Sequence, residues 1–161
     1  MRINFPLGAS APLGDTRDFG GTVRFFDPAT LRSWIGTPFH HGASLKGVGC
    51  DCYGLIVGVA RDMGLCPPAL PVYPHDPKAL TDMERAAVKE HFLSFARLIP
   101  REETRDGDIL IFSLSQDPVH FAFRLTAETF LHADRHQGVM ETRYTPSWQR
   151  RHRMTARKGR R

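Results

Sequence analysis

A change of hydrophobic period near Asp106 constrains the fold of this 161-residue sequence more than any other feature. Before it, apolar side chains recur at the spacing of a helix. After it, apolar and polar side chains alternate in short segments rich in β-branched and aromatic residues. Helices followed by strands are typical of an α+β domain, in which helices pack on one face of an antiparallel sheet. The length suits one such domain, and we predict it over residues 25–149.

Three segments that precede Asp106 carry a helix start signal followed by apolar residues at helical spacing. They are 27–34, which opens with Asp27 and Pro28, 52–63, which has Asp51 as its cap and Gly64 as its stop, and 82–98, which opens with the capping box of Thr81 and Glu84. Residues 65–80 contain five prolines. We predict an irregular connection there.

Four segments of the second half alternate with a period of two and are predicted to form an antiparallel meander. They are 109–114, 120–125, 129–133 and 139–144. If the chain turns about Thr126, then His120 and His132 lie directly opposite each other on adjacent strands, with Cβ atoms about 5 Å apart. Alternation places both imidazoles on the same face of the sheet, which makes them a candidate pair for proton transfer.

The two ends differ in composition from the middle of the chain. Residues 1–24 lack periodicity and are predicted to form an extended arm. Residues 150–161 hold six Arg and one Lys without an acid, and the whole chain carries a net charge of +5. We predict a solvated basic tail there, with docking on phosphate, an acidic wall polymer or a partner protein as the alternative.

The amino terminus contains no continuous apolar segment of signal-peptide length, and no segment approaches the length of a membrane span. We therefore expect a protein that is made in the cytoplasm with reduced cysteines. Neither a nucleic acid nor a membrane is predicted as its partner.

Two of the three cysteines lie one residue apart in the glycine-rich segment GVGCDCYG. Cys50 and Cys52, with His40 and His41, offer four possible zinc ligands, but structural zinc sites and redox pairs both favour a Cys-x-x-Cys spacing. Burial as a small apolar side chain is the ordinary role of an unpaired cysteine, and we expect it for Cys50 and Cys66.

Cys52 differs because it is predicted to lie in the first turn of a helix. The unpaired amides and the positive end of the helix dipole there are expected to lower the pKa of its thiol. Glycines at 47, 49 and 54 are expected to leave room for a substrate backbone. A cysteine nucleophile also needs a base, and His120 or His132 is able to serve.

An ordered set of short motifs resembles the NlpC family of papain-like cell-wall cysteine peptidases. The set comprises Ile35-Gly36-Thr37-Pro38-Phe39, Asp51-Cys52-Tyr53-Gly54-Leu55, His120-Phe121-Ala122-Phe123 and Leu131-His132-Ala133. The segment TPFHHGASLKGVGCDCYGL and the ending ETRYTPSWQRRHR are closest to the branch found in tailed phages and phage-like gene transfer agents. The resemblance implies an NlpC-type fold with the nucleophile at the start of a helix.

The same resemblance implies a role for each candidate residue. Cys52 is the expected nucleophile, His120 the general base, and His132 the orienting third member of a catalytic triad that needs no cofactor or metal. The expected substrate is a peptidoglycan stem peptide, cut after γ-D-glutamate. The expected setting is the tip of a phage-like tail that acts at the cell wall, where tail-tip or hub proteins are its partners.

Substrate contacts are expected from Asp51, Tyr53, Phe39 and His41. Two of these depart from the family pattern, because Phe39 replaces a tyrosine that assists the oxyanion and Tyr53 replaces a serine. These departures keep two alternatives open. One is a tail-tip adaptor that retains the fold with little or no hydrolysis, and the other is acyl transfer or amide hydrolysis on a different substrate.

Overall fold

The computed structural model describes residues 26–76, 79–114 and 120–158. The predicted arm over 1–24 lies outside the described residues. The helices are α1 (Pro28–Arg32), α2 (Cys52–Asp62), α3 (Asp82–Leu93) and α4 (Pro146–Arg151). The strands are β1 (Ser44–Leu45), β2 (Gly49–Cys50), β3 (Ala96–Ile99), β4 (Ile109–Phe112), β5 (His120–Arg124), β6 (Thr129–Asp134), β7 (Gly138–Arg143) and β8 (His152–Lys158).

The strands β3 to β8 form one antiparallel sheet in the order β3-β8-β4-β5-β6-β7, while β1 and β2 pair as a small separate hairpin. The main core joins α2 to one face of the sheet, which contributes Phe121, Phe123 and Leu131. A smaller cluster on the opposite face includes Phe112 and Phe130. The predicted α+β architecture, with helices packed on an antiparallel meander, is confirmed.

The start of α2 is defined by local hydrogen bonding, as its sequence predicts. The Asp51 side chain accepts a hydrogen bond from the backbone N–H of Gly54, at 2.7 Å. A Cβ atom on Gly54 would lie 1.8 Å from the carbonyl oxygen of Ala43, so only glycine fits there. A Cβ on Gly49 would lie 2.4 Å from the His40 ring. These two glycines therefore serve close packing, and the expectation that they leave space for a substrate is wrong.

The helix predicted over 82–98 ends five residues earlier. Its capping box of Thr81 and Glu84 is present, but α3 stops at Leu93 and the chain enters β3. Ala96 and Ile99 are buried, and the backbone of this segment pairs with β8. Pairing with a strand distant in sequence overrides the helical spacing, because it satisfies the backbone and buries both side chains together.

The prediction of a solvated basic tail is wrong for residues 152–158. They form β8, which lies between β3 and β4 inside the sheet. Thr155 and Ala156 are fully buried, and Arg157 donates to both carboxylate oxygens of Asp108 at 2.8 and 2.7 Å. The sequence gives no clear strand signal here because the cationic residues of this segment outnumber its apolar residues. Residues 159–161 lie outside the described part of the chain.

The hairpin that joins β5 to β6 has a register two residues away from the predicted one. Ala122, not His120, lies opposite His132. The Thr126 hydroxyl accepts from the backbone N–H of Thr129, at 3.1 Å, which stabilises a turn centred one residue later than expected. Because a shift of two residues preserves the face, both imidazoles still lie on the same side of the sheet.

Across the three described stretches, none of the helices combines the length and the apolarity that a membrane crossing requires.

Candidate active site

One cavity of about 450 Å³ opens between the start of α2 and the adjoining ends of β5 and β6. All seven residues singled out from the sequence line it, namely Phe39, His41, Asp51, Cys52, Tyr53, His120 and His132. Sequence reasoning missed further lining residues, among them Tyr73, His75, Asp134, Arg135 and Trp148. The fold thus brings together side chains that are as far apart as 109 positions in the sequence.

Cys52 is the first residue of α2 and is partly exposed. Close packing, and after it the adjacent Asp51 carboxylate, raise the pKa of its thiol to about 12, against the opposing effect of backbone N–H groups of Phe121, Tyr53 and Cys52 itself. The expected lowering of this pKa is therefore wrong, because desolvation outweighs the helix start. The contact with Phe121 also places the sulfur beside the strand that begins with His120.

The two histidines are directly hydrogen-bonded. Nε2 of His120 lies 2.8 Å from Nδ1 of His132, and Nε2 of His132 lies 3.0 Å from Oγ1 of Thr142. Burial lowers the pKa of His120 to about 3, assisted by His132 and opposed by Asp134, and burial also lowers the pKa of His132. Both imidazoles are therefore neutral at pH 7. With Nε2 engaged, the second ring nitrogen that His120 offers is Nδ1.

Trp148, on α4, packs against both imidazoles. Its indole stacks on His120 at 6.1 Å and 30° and meets His132 edge-on at 5.5 Å and 67°. The same ring packs edge-on against Phe112 and Phe130. Pro146 stands at the start of this helix and is a helix start signal that the sequence analysis missed, but a start signal gives no indication that the indole reaches the histidines.

Both carboxylate oxygens of Asp51 accept hydrogen bonds from other groups of the protein. Oδ1 accepts from the N–H of Gly54, while Oδ2 accepts from the N–H of Gly42 at 2.7 Å and from the Tyr73 hydroxyl at 2.8 Å. Nδ1 of His41 lies 3.5 Å from the same oxygen. Asp51 is 4% exposed. It therefore ties the start of α2 to the proline-rich connection, a role that the N-cap signal revealed only in part.

The two departures from the family pattern form apolar walls of the cavity. Tyr53 is 3% exposed, packs against Phe121, and shares a hydrogen bond between its hydroxyl and Nδ1 of His91. Phe39 is partly buried against the main core, and its backbone forms a bridge with Cys50. Both aromatic side chains line the cavity, and their contact with a substrate stays a prediction.

The remaining cysteines differ from each other. Cys50 is completely buried, and burial raises the pKa of its thiol to about 12. Cys66 is exposed, so the expectation that it packs in the interior is wrong. Over residues 26–76, 79–114 and 120–158, no three His, Cys, Asp or Glu side chains are grouped in a way that suits a metal ion.

Solved structures with the same fold include two that are named as peptidoglycan hydrolases. A lipoprotein-like NLP/P60 protein from Staphylococcus aureus matches with a TM-score of 0.56 and 21% identity, covering 88% of this chain and 44% of that one. The NlpC/p60 domain of the peptidoglycan hydrolase SagA gives 0.53 and 19%, covering 80% and 93%. The peptidoglycan hydrolase RipB of Mycobacterium tuberculosis gives 0.54 and 15%, covering 80% and 61%. These likenesses establish the fold, and the chain spans less than half of the staphylococcal protein.

No curated protein resembles the chain closely enough in sequence to count as a relative. The model of the NlpC/P60 family, in contrast, matches residues 36–157. This range contains every lining residue named above and includes nearly all of β8. The chain belongs to the NlpC/P60 family.

Proposed function

We propose that the chain is a cysteine peptidase in which Cys52 is the nucleophile and His120 the general base. The observation that carries this proposal is the shared cavity, which is lined both by Cys52, whose thiol is hydrogen-bonded by the backbone of Phe121, and by the hydrogen-bonded pair His120 and His132. Membership of the NlpC/P60 family supports it. The same cavity is also lined by the imidazoles of His41 and His75.

The chemistry starts from a neutral thiol and a neutral imidazole. As the sulfur of Cys52 bonds to the carbonyl carbon, Nδ1 of His120 takes the thiol proton and His132 stabilises the imidazolium. Backbone N–H groups at the start of α2 donate to the oxyanion. His120 then gives the proton to the leaving amine, which leaves a thioester. A water, deprotonated by His120, hydrolyses the thioester and restores the thiol.

The proposed substrate is a peptidoglycan stem peptide, and the proposed bond is the one after γ-D-glutamate. Two structural relatives are named as peptidoglycan hydrolases, which supports the substrate class. A volume of about 450 Å³ suits a few peptide residues. His75 and Arg135 offer donors for the carboxylates that a stem peptide carries, while Nε2–H of His41 donates to the Tyr73 carbonyl and leaves that ring as a wall of the cavity.

The proposed setting is the tip of a phage-like tail, where the enzyme opens the wall beside tail-tip or hub proteins. Its support is the resemblance of the segments 37–55 and 141–153 to the phage branch of the family. Mass spectrometry of purified particles tests it. Copies of the chain in intact tails are expected, and particles that lack it would overturn this setting while leaving the peptidase proposal in place.

Digestion of purified muropeptides tests the peptidase proposal. The wild-type protein is expected to release a fragment ending in γ-D-glutamate, identified by its mass. Cys52→Ala is expected to release none, and Cys66→Ala, which removes an exposed thiol, is expected to match the wild type. Identical product profiles for wild type and Cys52→Ala would contradict the proposal.

The adaptor without hydrolysis is the second candidate. The raised pKa of the Cys52 thiol and the apolar groups at Phe39 and Tyr53 favour it, because each weakens a feature that speeds acyl transfer. Absence of muropeptide cleavage together with presence in the tail is the outcome that selects this candidate. Fragments of a different mass would instead indicate acyl transfer or amide hydrolysis at another bond.

A further inference from the structure

We propose that Thr142 is a positioning residue for the histidine pair, and this rests on the peptidase function proposed above. Its hydroxyl oxygen lies 3.0 Å from Nε2 of His132, where we assign it the role of acceptor for Nε2–H, and Nδ1 of His132 lies 2.8 Å from Nε2 of His120. Thr142, His132 and His120 thus form a chain of two hydrogen bonds that ends at the proposed base. Its effect is to keep Nδ1 of His120 unprotonated and ready to accept from Cys52.

The proton between the two rings decides whether His120 is a base. Two neutral imidazoles share one proton along the bond from Nε2 of His120 to Nδ1 of His132. If His120 donates it, Nδ1 of His120 keeps its lone pair and His132 carries its own proton on Nε2. If His132 donates it, Nδ1 of His120 is protonated and cannot accept from a thiol.

The competent arrangement needs an acceptor at Nε2 of His132. His132 is 4% exposed, and its ring contacts the aromatic rings of Phe130 and Trp148. A buried N–H without an acceptor is costly. Oγ1 of Thr142 supplies the acceptor, whereas Asp134 acts on the ring through its charge. Both rings then carry Nε2–H, which is also the favoured form of an isolated neutral histidine.

The sheet explains why Thr142 occupies this position. Met140 lies directly opposite His132, and Thr142 lies two residues further along β7, opposite Phe130. Residues two apart on a strand share a face, so the hydroxyl and the imidazole are diagonal neighbours. The β-branched side chain of threonine restricts rotation about its first torsion, which fixes the direction of the hydroxyl.

Nitrogen-15 NMR of the imidazoles in the full-length protein tests the inference directly, without a substrate. We expect Nε2–H on both His120 and His132 at pH 7, with a slowly exchanging proton on Nε2 of His132. Thr142→Val, which keeps the shape but removes the hydroxyl, is expected to lose that slow proton, and Thr142→Ser is expected to keep it. Nδ1–H on both rings of the wild type, or an unchanged slow proton in Thr142→Val, would overturn the inference.

Steady-state kinetics on muropeptides provide the functional readout. We expect kcat of Thr142→Val to fall about tenfold, as loss of one buried hydrogen bond predicts, with KM nearly unchanged and with recovery in Thr142→Ser. Wild-type kcat in Thr142→Val would overturn the positioning role. If the wild type itself cleaves nothing, the proposed function fails, while the NMR result still decides whether Thr142 accepts from His132.

Discussion

The two halves of the site are built in different ways. The nucleophile half is local, because Asp51, Cys52 and Gly54 lie within four positions and define the start of α2 together. The imidazole half is assembled from distant segments, since β6, β7 and α4 supply His132, Thr142 and Trp148. The position of the Cys52 nucleophile follows from the sequence around it. The pKa values in both halves of the site depend on burial, which only the complete fold provides.

The largest expected effect lies in the imidazole half. His120→Ala removes the proposed base and is expected to lower kcat about a thousandfold. The measurement is muropeptide turnover at pH 7. His136→Ala, which removes an exposed imidazole after β6, serves as the matched control and is expected to keep wild-type turnover. Equal losses in both variants would indicate that His120 has no special role.

A variant of the helix cap Asp51 tests the nucleophile half of the site. Asp51→Ala removes acceptors for Gly54, Gly42 and Tyr73 together. We expect the free energy of unfolding to fall by about 3 kcal/mol, measured with urea. Asp82→Ala, at an exposed position in the first turn of α3, is expected to lower it by about 0.5 kcal/mol at most. A stability equal to wild type in Asp51→Ala would break the view of Asp51 as a structural anchor.

Stability in acid tests the burial of the sheet histidines. Burial lowers the pKa of His152 to about 4 and that of His120 to about 3, so the unfolded chain binds their protons more readily. The stability that these two histidines contribute is therefore fully present above pH 6.5 and is lost as pH falls toward 4. We expect the free energy of unfolding to decrease over this range by about 1.4 kcal/mol per pH unit for each buried histidine.

His152→Gln identifies the share of this slope that belongs to one histidine. Because glutamine does not titrate, we expect the slope between pH 6 and pH 4.5 to decrease by one proton equivalent. His136→Ala is expected to leave it unchanged. A slope that is the same in wild type and His152→Gln would mean that His152 is protonated in the folded protein.

The smallest expected effect concerns the indole that covers both imidazoles. Trp148→Ala admits water to His120 and is expected to raise the pKa of that ring, which moves the acid limb of the kcat/KM profile upward by about one pH unit. Trp148→Phe keeps an aromatic cover and is expected to shift the limb less. An unchanged profile in Trp148→Ala would show that other groups exclude the water.

The fold class, three of the four helix starts and four of the eight strands in the described residues could be predicted from sequence because each depends on local spacing and capping. The start of α2 at Asp51 is one example. Features that depend on distant pairing could not be predicted. Ile99 joins a strand because β8 lies beside it, and β8 itself is concealed by its own cationic residues. The imidazole pair was found in spite of a wrong register, because a shift of two preserves the face.

The protonation of the site was the main error of sequence reasoning. A thiol at a helix start is expected to be acidic, yet packing raises the pKa of Cys52. Cys52 packs against the core cluster that contains Phe121 and Tyr53, whose aromatic rings contact each other. Sequence spacing places these rings on their elements but does not tell how closely they enclose the sulfur.

The most direct measurement uses a stem-peptide analogue, L-alanyl-γ-D-glutamyl chloromethyl ketone, which carries an electrophile in place of the scissile amide. Wild-type protein is expected to gain one label, which peptide mass spectrometry locates on the fragment that contains Cys52. The His120→Ala variant is expected to gain the same label more slowly. Cys52→Ala is expected to remain unlabelled at the same dose. A label on Cys66 alone, or equal labelling of wild type and Cys52→Ala, would contradict a peptidase site at the start of α2.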